Sequence, residues 1–454
     1  MSESRRGGTC RCYQNGRDRS LGRPENGRPY ESISWFQGAL ARIFESRLSL
    51  GFPRGRASRP ASFKLKLGVV IALGVLAIGA GRSPIARAGV ELAGDFHIDL
   101  PLGVPLDVWN YFIPNDNRMT EAKVALGREL FFDKRVSADG SLSCSSCHKP
   151  RFGFTDGKPV PEGINGRKGT RSAPTLLNAM FNSGQFWDGR VESLEEQARQ
   201  PLVNPDEMGN PSTDAVVAKL AAIPEYSGNF NEVFGGPVTI ESFGKAIAAF
   251  ERTLVSGNSA FDRYTAGNRE ALSDSARRGM LLFNGKARCS VCHTFAGVFA
   301  VNQSFPFFTD QMYHNTGVAV NDATFEGLAR KAAALAKTGP SKVDLDSLAA
   351  QPGTGALGRF LVTGNVMDIG AFRTPSLRDV ELTAPYFHDG SAKTLEDVVK
   401  FYAKGGNNNP NRDWQLEPIR LSDQERTELV EFLKSLTSDG MKRIVDSETE
   451  NSLP

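Results

Sequence analysis

The sequence is poor in histidine and cysteine for its length, with 5 histidines and 6 cysteines among 454 residues. Six cysteines are too few for a disulfide scaffold of this size, so any role of cysteine must be local. No stretch alternates apolar and polar residues for long enough to indicate a sheet. The remaining composition is 40% hydrophobic, 23% charged and 9% aromatic, with 29 phenylalanines. These values exclude a wholly disordered chain and supply enough apolar bulk for real cores.

Basic and acidic residues are unevenly distributed along the chain. Residues 1–88 carry 16 Lys and Arg against 5 Asp and Glu, whereas residues 89–454 carry 38 against 46, a net charge of −8. A mildly acidic body argues against nucleic acid as the main partner, and the basic part is better explained as a targeting segment.

The basic N-terminal part ends in the features of an export signal. Two lysines precede the apolar run at residues 67–81, and an Ala-Arg-Ala sequence that ends at Ala88 follows it. Fifteen apolar residues suit the core of a secretory signal better than a membrane span, which needs about 20. We therefore expect residues 1–88 to be a leader and signal peptide cleaved after Ala88, with an uncleaved anchor as the alternative. In either case the body is expected in the periplasm.

The four cysteines of the body form two identical arrangements, Cys144-Ser-Ser-Cys147-His148 and Cys289-Ser-Val-Cys292-His293. Two thiols three residues apart can form thioethers with the two vinyl groups of one haem, while the adjacent histidine binds the iron. A zinc ribbon places its CxxC pairs about 15 to 20 residues apart, whereas 141 residues separate these two. A redox disulfide explains neither the repetition nor the histidines. The motifs therefore predict two covalently bound c-type haems.

The arrangement of helical patterns around these motifs indicates a repeat. Each motif follows a short apolar helical pattern, and each half ends in a helix-like stretch, residues 241–254 and residues 423–436, the second with Ser422 as its N-cap. We expect a mainly α fold of two cytochrome c-like haem domains. The N-terminal domain is predicted at 89–267 and the C-terminal domain at 268–454. Residues 321–357, rich in Ala and Gly, are expected to form a solvent-facing insertion.

Beyond the haem motifs, the chain resembles the bacterial di-haem cytochrome c peroxidase and MauG family. The resemblance covers about residues 105–440 and is carried by the strings ELFFDKRVS, RSAPTLLNAMFNSGQFWDGR, SLEEQARQPLVNPDEMG, FRTPSLRDVELTAPYFHDGS and LEDVVKFYAKGG. It implies a peroxidatic haem in the N-terminal domain and an electron-transfer haem in the C-terminal domain. It also implies that hydrogen peroxide is the substrate and that the protein is a homodimer.

The family pattern further implies a distal site at the first haem, whose iron His148 would bind. Glu207 is expected to move a proton between the peroxide oxygens, Gln197 to donate a hydrogen bond, and Pro201 to pack the pocket. Outside this context Glu207 would be an ordinary helix-start carboxylate and Gln197 a surface amide. Members that need reductive activation carry a distal histidine where this chain has Ile164. Isoleucine cannot bind iron, so the resemblance implies a five-coordinate first haem, with another ligand brought in by a loop shift as the alternative.

At the second haem the resemblance implies His293 and Tyr402 as iron ligands. Typical peroxidases use methionine where MauG-like members use tyrosine, and residues 376–440 contain no methionine. A phenolate ligand favours ferric iron and lowers the potential. Tyr402 also falls at helical spacing with three apolar residues, so a role in the core is the alternative.

The resemblance also bears on the region between the haems, through a tryptophan and a calcium site, and on the substrate, through Ala287. Trp187 matches the family tryptophan between the haems, where an indole can mediate electron transfer, although it could equally be a buried aromatic residue. A calcium ion is expected from the resemblance at the carbonyls of Thr383 and Pro385, but Ser172 stands where the family has an asparagine ligand. Ala287 replaces the surface tryptophan through which MauG draws electrons from a protein substrate.

Three functions are therefore weighed. The first is the reduction of hydrogen peroxide with electrons from a small exported cytochrome c or copper protein. The second is a MauG-like oxidase that uses peroxide to modify a partner protein. The third is a non-enzymatic di-haem electron carrier, which requires both irons to be six-coordinate. We expect the first, with the second and third as alternatives.

Overall fold

The computed structural model describes residues 96–295, 305–321, 324–409 and 411–446. The expected leader at residues 1–88, with its apolar run and its cleavage position, lies outside these ranges. Among the helices of the described ranges, none is long and apolar enough to cross a membrane.

Helices and turns make up most of the described chain, which confirms the prediction of a mainly α fold. The α-helices within the described ranges are α1 (Leu106–Tyr111), α2 (Glu121–Phe132), α3 (Cys144–Cys147), α4 (Leu194–Gln197), α5 (Gln200–Val203), α6 (Thr213–Ala221), α7 (Pro224–Phe234), α8 (Ile240–Glu251), α9 (Ala260–Thr265), α10 (Asp274–Asn284), α11 (Phe325–Ala336), α12 (Lys342–Ala349), α13 (Phe360–Thr363), α14 (Leu395–Ala403), α15 (Asp423–Lys434) and α16 (Asp439–Asp446). Strand β1 (Tyr313–His314) pairs antiparallel with β2 (Phe372–Arg373), and these are the only strands in the same ranges.

The two helices predicted at the ends of the halves are present, with slightly different bounds. The Ser422 hydroxyl accepts a hydrogen bond from the Glu425 N–H at 3.2 Å, and the Glu425 carboxylate accepts one from the Ser422 N–H at 2.8 Å. This capping box confirms Ser422 as the N-cap of α15. Helix α8 ends before the predicted Leu254, because the N–H groups of the next residues bond three positions back and tighten the last turn.

In each half, the helix that precedes the haem motif crosses the last long helix at a glycine. A Cβ atom on Gly127 of α2 would lie 1.9 Å from the carbonyl oxygen of Ala246 in α8. A Cβ atom on Gly279 of α10 would lie 1.9 Å from the carbonyl oxygen of Glu428 in α15. Only glycine allows so close an approach of two helix backbones. The matching crossings support an internal repeat, while the boundary at residues 267 and 268 stays a prediction.

Each crossing belongs to a hydrophobic core that also anchors a haem motif. The first core is formed by α2, α6, α7 and α8, and the side chain of Cys144 packs against it. The second is formed by α10, α14 and α15, and Cys289 packs against it in the same way. The cores therefore hold each CxxCH motif on a rigid support.

The segment expected to be a solvent-facing insertion is helical. Helices α11, α12 and α13 share a core that includes Leu328, Leu345 and Phe360. This small core packs against Phe372 of β2, and the Arg171 guanidinium donates hydrogen bonds of 2.8 and 3.0 Å to the Gly355 carbonyl. The segment is thus fastened to the region between the two haem motifs.

Candidate active site

The first haem motif forms a single helical turn followed by a histidine. Ser143 and Ser146 cap the start of α3 reciprocally, which brings both cysteines onto one turn. The Nδ1–H of His148 donates to the Phe154 carbonyl at 2.9 Å. That bond fixes the tautomer and leaves Nε2 as the ring nitrogen that can bind a metal. Burial lowers the pKa of His148, so the imidazole is neutral as a metal ligand must be.

The second motif repeats this arrangement. Residues Cys289–Val291 form a short 3₁₀ turn, and the Nδ1–H of His293 donates to the Phe308 carbonyl at 2.8 Å. Phe154 and Phe308, which supply the two carbonyls, both have positive φ values, 60° and 53°. Burial also lowers the pKa of His293. The two histidines are therefore held by equivalent loops.

None of the four motif cysteines forms a disulfide within the described ranges. Burial raises the pKa of Cys147 to about 11 and that of Cys289 to about 12. Redox-active CxxC motifs instead lower the pKa of the attacking cysteine. The environment of these thiols is therefore unlike that of a dithiol redox centre.

One cleft brings together the residues predicted to act at the first haem. It is lined by Cys147 and His148 and by Gln197, Pro201 and Glu207. Gln197 ends α4 and Pro201 lies in α5, so the two residues are four apart and share one side of this segment. The structure thus places the predicted distal residues beside the first histidine.

The Glu207 carboxyl has an unusual electrostatic environment. Burial raises its pKa, while the Arg190 guanidinium and a hydrogen bond from Asn204 Nδ2, 2.8 Å from Glu207 Oε1, act in the opposite direction. Arg190 stacks over the Phe186 ring at 3.3 Å from its centroid and pairs with Asp188 at 3.1 Å. Glu207 can therefore take up and release a proton closer to neutral pH than a solvent-exposed glutamate.

Ile164 does not line this cleft. Its backbone N–H donates to the Glu207 carbonyl at 2.9 Å, and its side chain packs over Gly209. The residue therefore supports the loop that carries Glu207. At the predicted position of an exchangeable distal ligand, the chain has a buried apolar side chain.

A second cleft, with an empty volume of about 2110 Å³, contains the residues predicted for the second haem. His293 and Tyr402 both line it, as do Thr383 and Pro385. Burial raises the pKa of the Tyr402 hydroxyl. No hydrogen bond within the described ranges involves that hydroxyl, so the tyrosine is not explained by a polar partner in the protein.

The Trp187 side chain lies in the wall between the two clefts and lines both. Its indole N–H donates to the Ser172 carbonyl at 2.9 Å, and its own carbonyl accepts from the Arg373 N–H at 2.8 Å. His388 lies near this wall, stacked on Phe372 with centroids 3.7 Å apart. Burial lowers the pKa of His388 to about 3, so this histidine stays neutral.

Arg373 provides a test of whether haem fits these clefts. The residue is buried, lines both clefts, and donates to Asn182 Oδ1 at 3.0 Å. Its Nε has no hydrogen-bond partner, and no carboxylate in the described part of the chain contributes to its pKa. Burial lowers its pKa to about 10. A buried cation without a carboxylate suits the anionic propionates of a haem, so the donor set fits the predicted cofactor.

Sequence reasoning did not single out Arg190 or Arg373. Arg190 ends a string that repeats, since QFWDGR at 185–190 has a counterpart in YFHDGS at 386–391. The structure supports this match, because Phe186 and Phe387 both have positive φ values, 66° and 69°. The repeated string is therefore a sequence signal that points to the wall between the clefts.

At the predicted calcium site, the nearby hydroxyl groups form hydrogen bonds within the protein. The Ser172 hydroxyl donates to the Phe387 carbonyl at 3.0 Å, and the Thr383 hydroxyl donates to the Val380 carbonyl at 3.2 Å. Ser172 also lines the second cleft together with Thr383 and Pro385. A calcium ion there remains a prediction.

His314, also in the second cleft, is held between two carboxylates. It lies 2.8 Å from Asp310 and 2.5 Å from Asp413. The hydrogen bond to Asp310 is the main cause that raises the pKa of His314 to about 11. The ligand atoms of Cys292, Asp310 and His314 lie within 4.8 Å of one another. Because Cys292 belongs to the second haem motif, we do not interpret them as a separate metal centre.

Comparison with known proteins agrees with this architecture. The family model for the di-haem cytochrome c peroxidases matches residues 121–270. The methylamine utilization protein MauG of Methylorubrum extorquens is 38% identical over 72% of this chain and 81% of the relative. The cytochrome c551 peroxidase of Nitrosomonas europaea is 34% identical over 83% and 93%, respectively. A crystal structure of a MauG-like protein associated with microbial copper homeostasis is 32% identical, with a TM-score of 0.61 over 76% of this chain and 97% of that one.

The two clefts and their histidines define a di-haem c-type oxidoreductase of the peroxidase class. The chain belongs to the di-haem cytochrome c peroxidase family, and its cofactors are c-type haems.

Proposed function

We propose that this protein reduces hydrogen peroxide to water at the first haem, with electrons that a small exported cytochrome c or copper protein delivers at the second. The observation that carries the proposal is the cleft in which Glu207, Gln197 and Pro201 lie beside His148. The reaction joins one peroxide, two protons and two electrons to give two waters. Its substrate is small and polar, which suits a cleft lined by carboxyl and amide side chains.

The first iron, when present, offers an electrophilic position at which peroxide can bind and accept electrons. Glu207 would hold a proton from the inner oxygen of peroxide and pass it to the outer oxygen, which would leave as water. The Gln197 amide would donate a hydrogen bond to the peroxide, and Pro201 would limit the space around it. The raised pKa of Glu207 supports this role, since the carboxyl must both take and give the proton.

Electrons have to pass from the second cleft to the first. Trp187 is proposed to mediate this transfer, because it lines both clefts and its indole N–H donates to the Ser172 carbonyl. Tyr402 is proposed to bind the second iron together with His293, which would stabilise its oxidised state.

We further propose that all four motif cysteines form thioethers and that the body works in the periplasm. The CxxCH motifs support both statements, since c-type haem is attached on the outer side of the bacterial inner membrane. A calcium ion near Thr383 and Pro385 is part of the same proposal.

The test is steady-state peroxide reduction by the mature holoenzyme, with a reduced small cytochrome c as donor. Glu207→Gln should lower the rate by about 10²- to 10⁴-fold, because an amide cannot accept the proton. Glu196→Gln is the matched control, since Glu196 is exposed on α4 and does not line the cleft. An undiminished rate in Glu207→Gln would contradict the proposal.

The position of Tyr402 in the second cleft is also compatible with the MauG-like alternative. That alternative predicts slow peroxide turnover with the cytochrome and oxidised side chains on a partner protein. Rapid turnover with the cytochrome donor supports the peroxidase.

A further inference from the structure

A third cavity, separate from the two haem clefts, lies beside the first of them and differs from it in its lining side chains. Seven of its lining side chains are charged, and they stand beside apolar ones such as Phe112 and Met180. Most of the charged side chains form ion pairs across its walls, such as Lys245 with Asp116 at 3.1 Å and Arg199 with Glu241 at 3.7 Å. The ion pairs keep part of the wall polar, so water and small polar solutes can enter. We call this space the outer cavity.

The segment α4–α5 separates the outer cavity from the haem cleft. Glu195 and Arg199, four residues apart, line the outer cavity, whereas Gln197 and Pro201, also four apart, line the haem cleft. Residues at this spacing share a side of a helical segment. The partition is therefore only one helical segment thick, and its inner side carries the residues that face the peroxide.

The two spaces meet at the start of this partition. Leu194, Gln185 and Asn182 line both of them. Leu194 and Gln185 are buried, and the Gln185 amide is anchored to the Ala179 carbonyl at 3.1 Å. These three residues form the boundary that the two spaces share, and Leu194 is its apolar member.

We propose that the outer cavity is the entrance through which hydrogen peroxide and water reach the first haem, with Leu194 as the gate. This inference rests on the proposed function and adds a substrate class to it. Passage between Leu194 and two amides admits small hydrogen-bonding molecules, so the enzyme selects hydrogen peroxide over bulky alkyl hydroperoxides. The haem cleft also reaches the surface at Thr170, and that opening is the competing entrance.

The test places a removable plug at each opening of the mature holoenzyme. Glu192→Cys, exposed on the outer cavity, and Thr170→Cys are each labelled with a bulky methanethiosulfonate reagent. Arg330→Cys, exposed on α11, and the labelled wild-type protein are the controls. Stopped-flow absorbance then measures the association rate of cyanide with the ferric protein and, separately, the reaction with peroxide.

The label at position 192 should slow both reactions at least tenfold, and a methyl-sized label should slow them less. Labels at 170 and 330 should leave both rates within twofold. Slowing by the label at 170 but not at 192, or by neither, would overturn the proposed entrance. Cyanide binding needs no turnover. If the label at position 192 slows cyanide binding in a protein that does not reduce peroxide, the proposed function is wrong and the proposed entrance stands.

A second variant tests the gate without a label. Leu194→Ala should speed the association of imidazole, a larger ligand, more than that of cyanide. An equal effect on both ligands, or none, would show that Leu194 does not control entry.

Discussion

At the scale of single residues, the chemistry depends on how the protein sets the protonation of Glu207. Burial is the largest influence and raises the pKa, while the Arg190 charge lowers it. Arg190 is held by Asp188, which also pairs with Arg171 at 2.5 Å. When Arg190 is replaced, Asp188 therefore keeps Arg171 as a cationic partner. The effect of the Arg190 charge on the pKa of Glu207 can then be tested without leaving Asp188 unpaired.

Arg190→Gln should raise the pKa of Glu207 further, because it removes the nearby positive charge. A proton acceptor must be ionised, so the rate of reaction with peroxide should rise with pH through that pKa, and the midpoint should move to higher pH. Arg190→Lys should restore the midpoint. Asp206→Asn should move it to lower pH, since the Asp206 charge raises the same pKa. The measurement is the second-order rate constant across pH, and an unchanged midpoint in Arg190→Gln would refute this role.

Tyr402→Phe should change the spectrum and potential of the second haem and leave peroxide binding at the first haem intact. The reason is that the hydroxyl has no partner in the described protein and lines the cleft of His293. Tyr386→Phe is the matched control, because Tyr386 lines the same cleft. If absorption and magnetic circular dichroism of the second haem are the same in Tyr402→Phe as in the wild type, the tyrosine is only part of the core.

At the scale of elements, the two glycine crossings set the distance between the paired helices of each half. A methyl group at Gly127 or Gly279 would overlap a carbonyl oxygen of the facing helix. The helices would have to separate, which would loosen the cores that carry Cys144 and Cys289.

Gly127→Ala and Gly279→Ala should each lower the free energy of unfolding by about 1–3 kcal/mol or more. Gly228→Ala in α7 is the control, because nothing lies within 4 Å of its added Cβ. That change should raise stability by about 0.5–1 kcal/mol, since alanine favours helix. Thermal unfolding of the three holoproteins checks this, and equal stability of all three would show that the crossings are not tight.

Sequence patterns predicted which helices form better than they predicted which residues those helices bring into contact. The cap of α15 at Ser422 follows from local chemistry, because an N-cap needs only residues three positions apart. The spacing of the two cysteines within a CxxCH motif likewise places both on one turn, which is a local feature. The crossing at Gly127 could not be predicted, because it depends on Ala246, which is distant in sequence. Arg373 was missed for the same reason, since its buried position arises from packing between the halves of the chain.

At the scale of the whole molecule, the two haem motifs lie on separate cores, so each haem should bind without the other. His148→Ala should abolish peroxide chemistry while the second haem stays attached. The haem content per chain, measured after extraction with acidic organic solvent, should be two covalent haems in the wild type. Release of either wild-type haem by that solvent, which leaves thioethers intact, would show that attachment is not covalent.

The first iron should be open to peroxide in the resting protein, since Ile164 supports the Glu207 loop and does not line the cleft. The most direct measurement is an EPR spectrum of the fully ferric mature protein before and after hydrogen peroxide. We predict one high-spin signal from the first haem and one low-spin signal from the second, with loss of the high-spin signal on peroxide addition and no need for prior reduction. Two low-spin signals that do not respond to peroxide until the protein is reduced would show that the first iron is not open to peroxide.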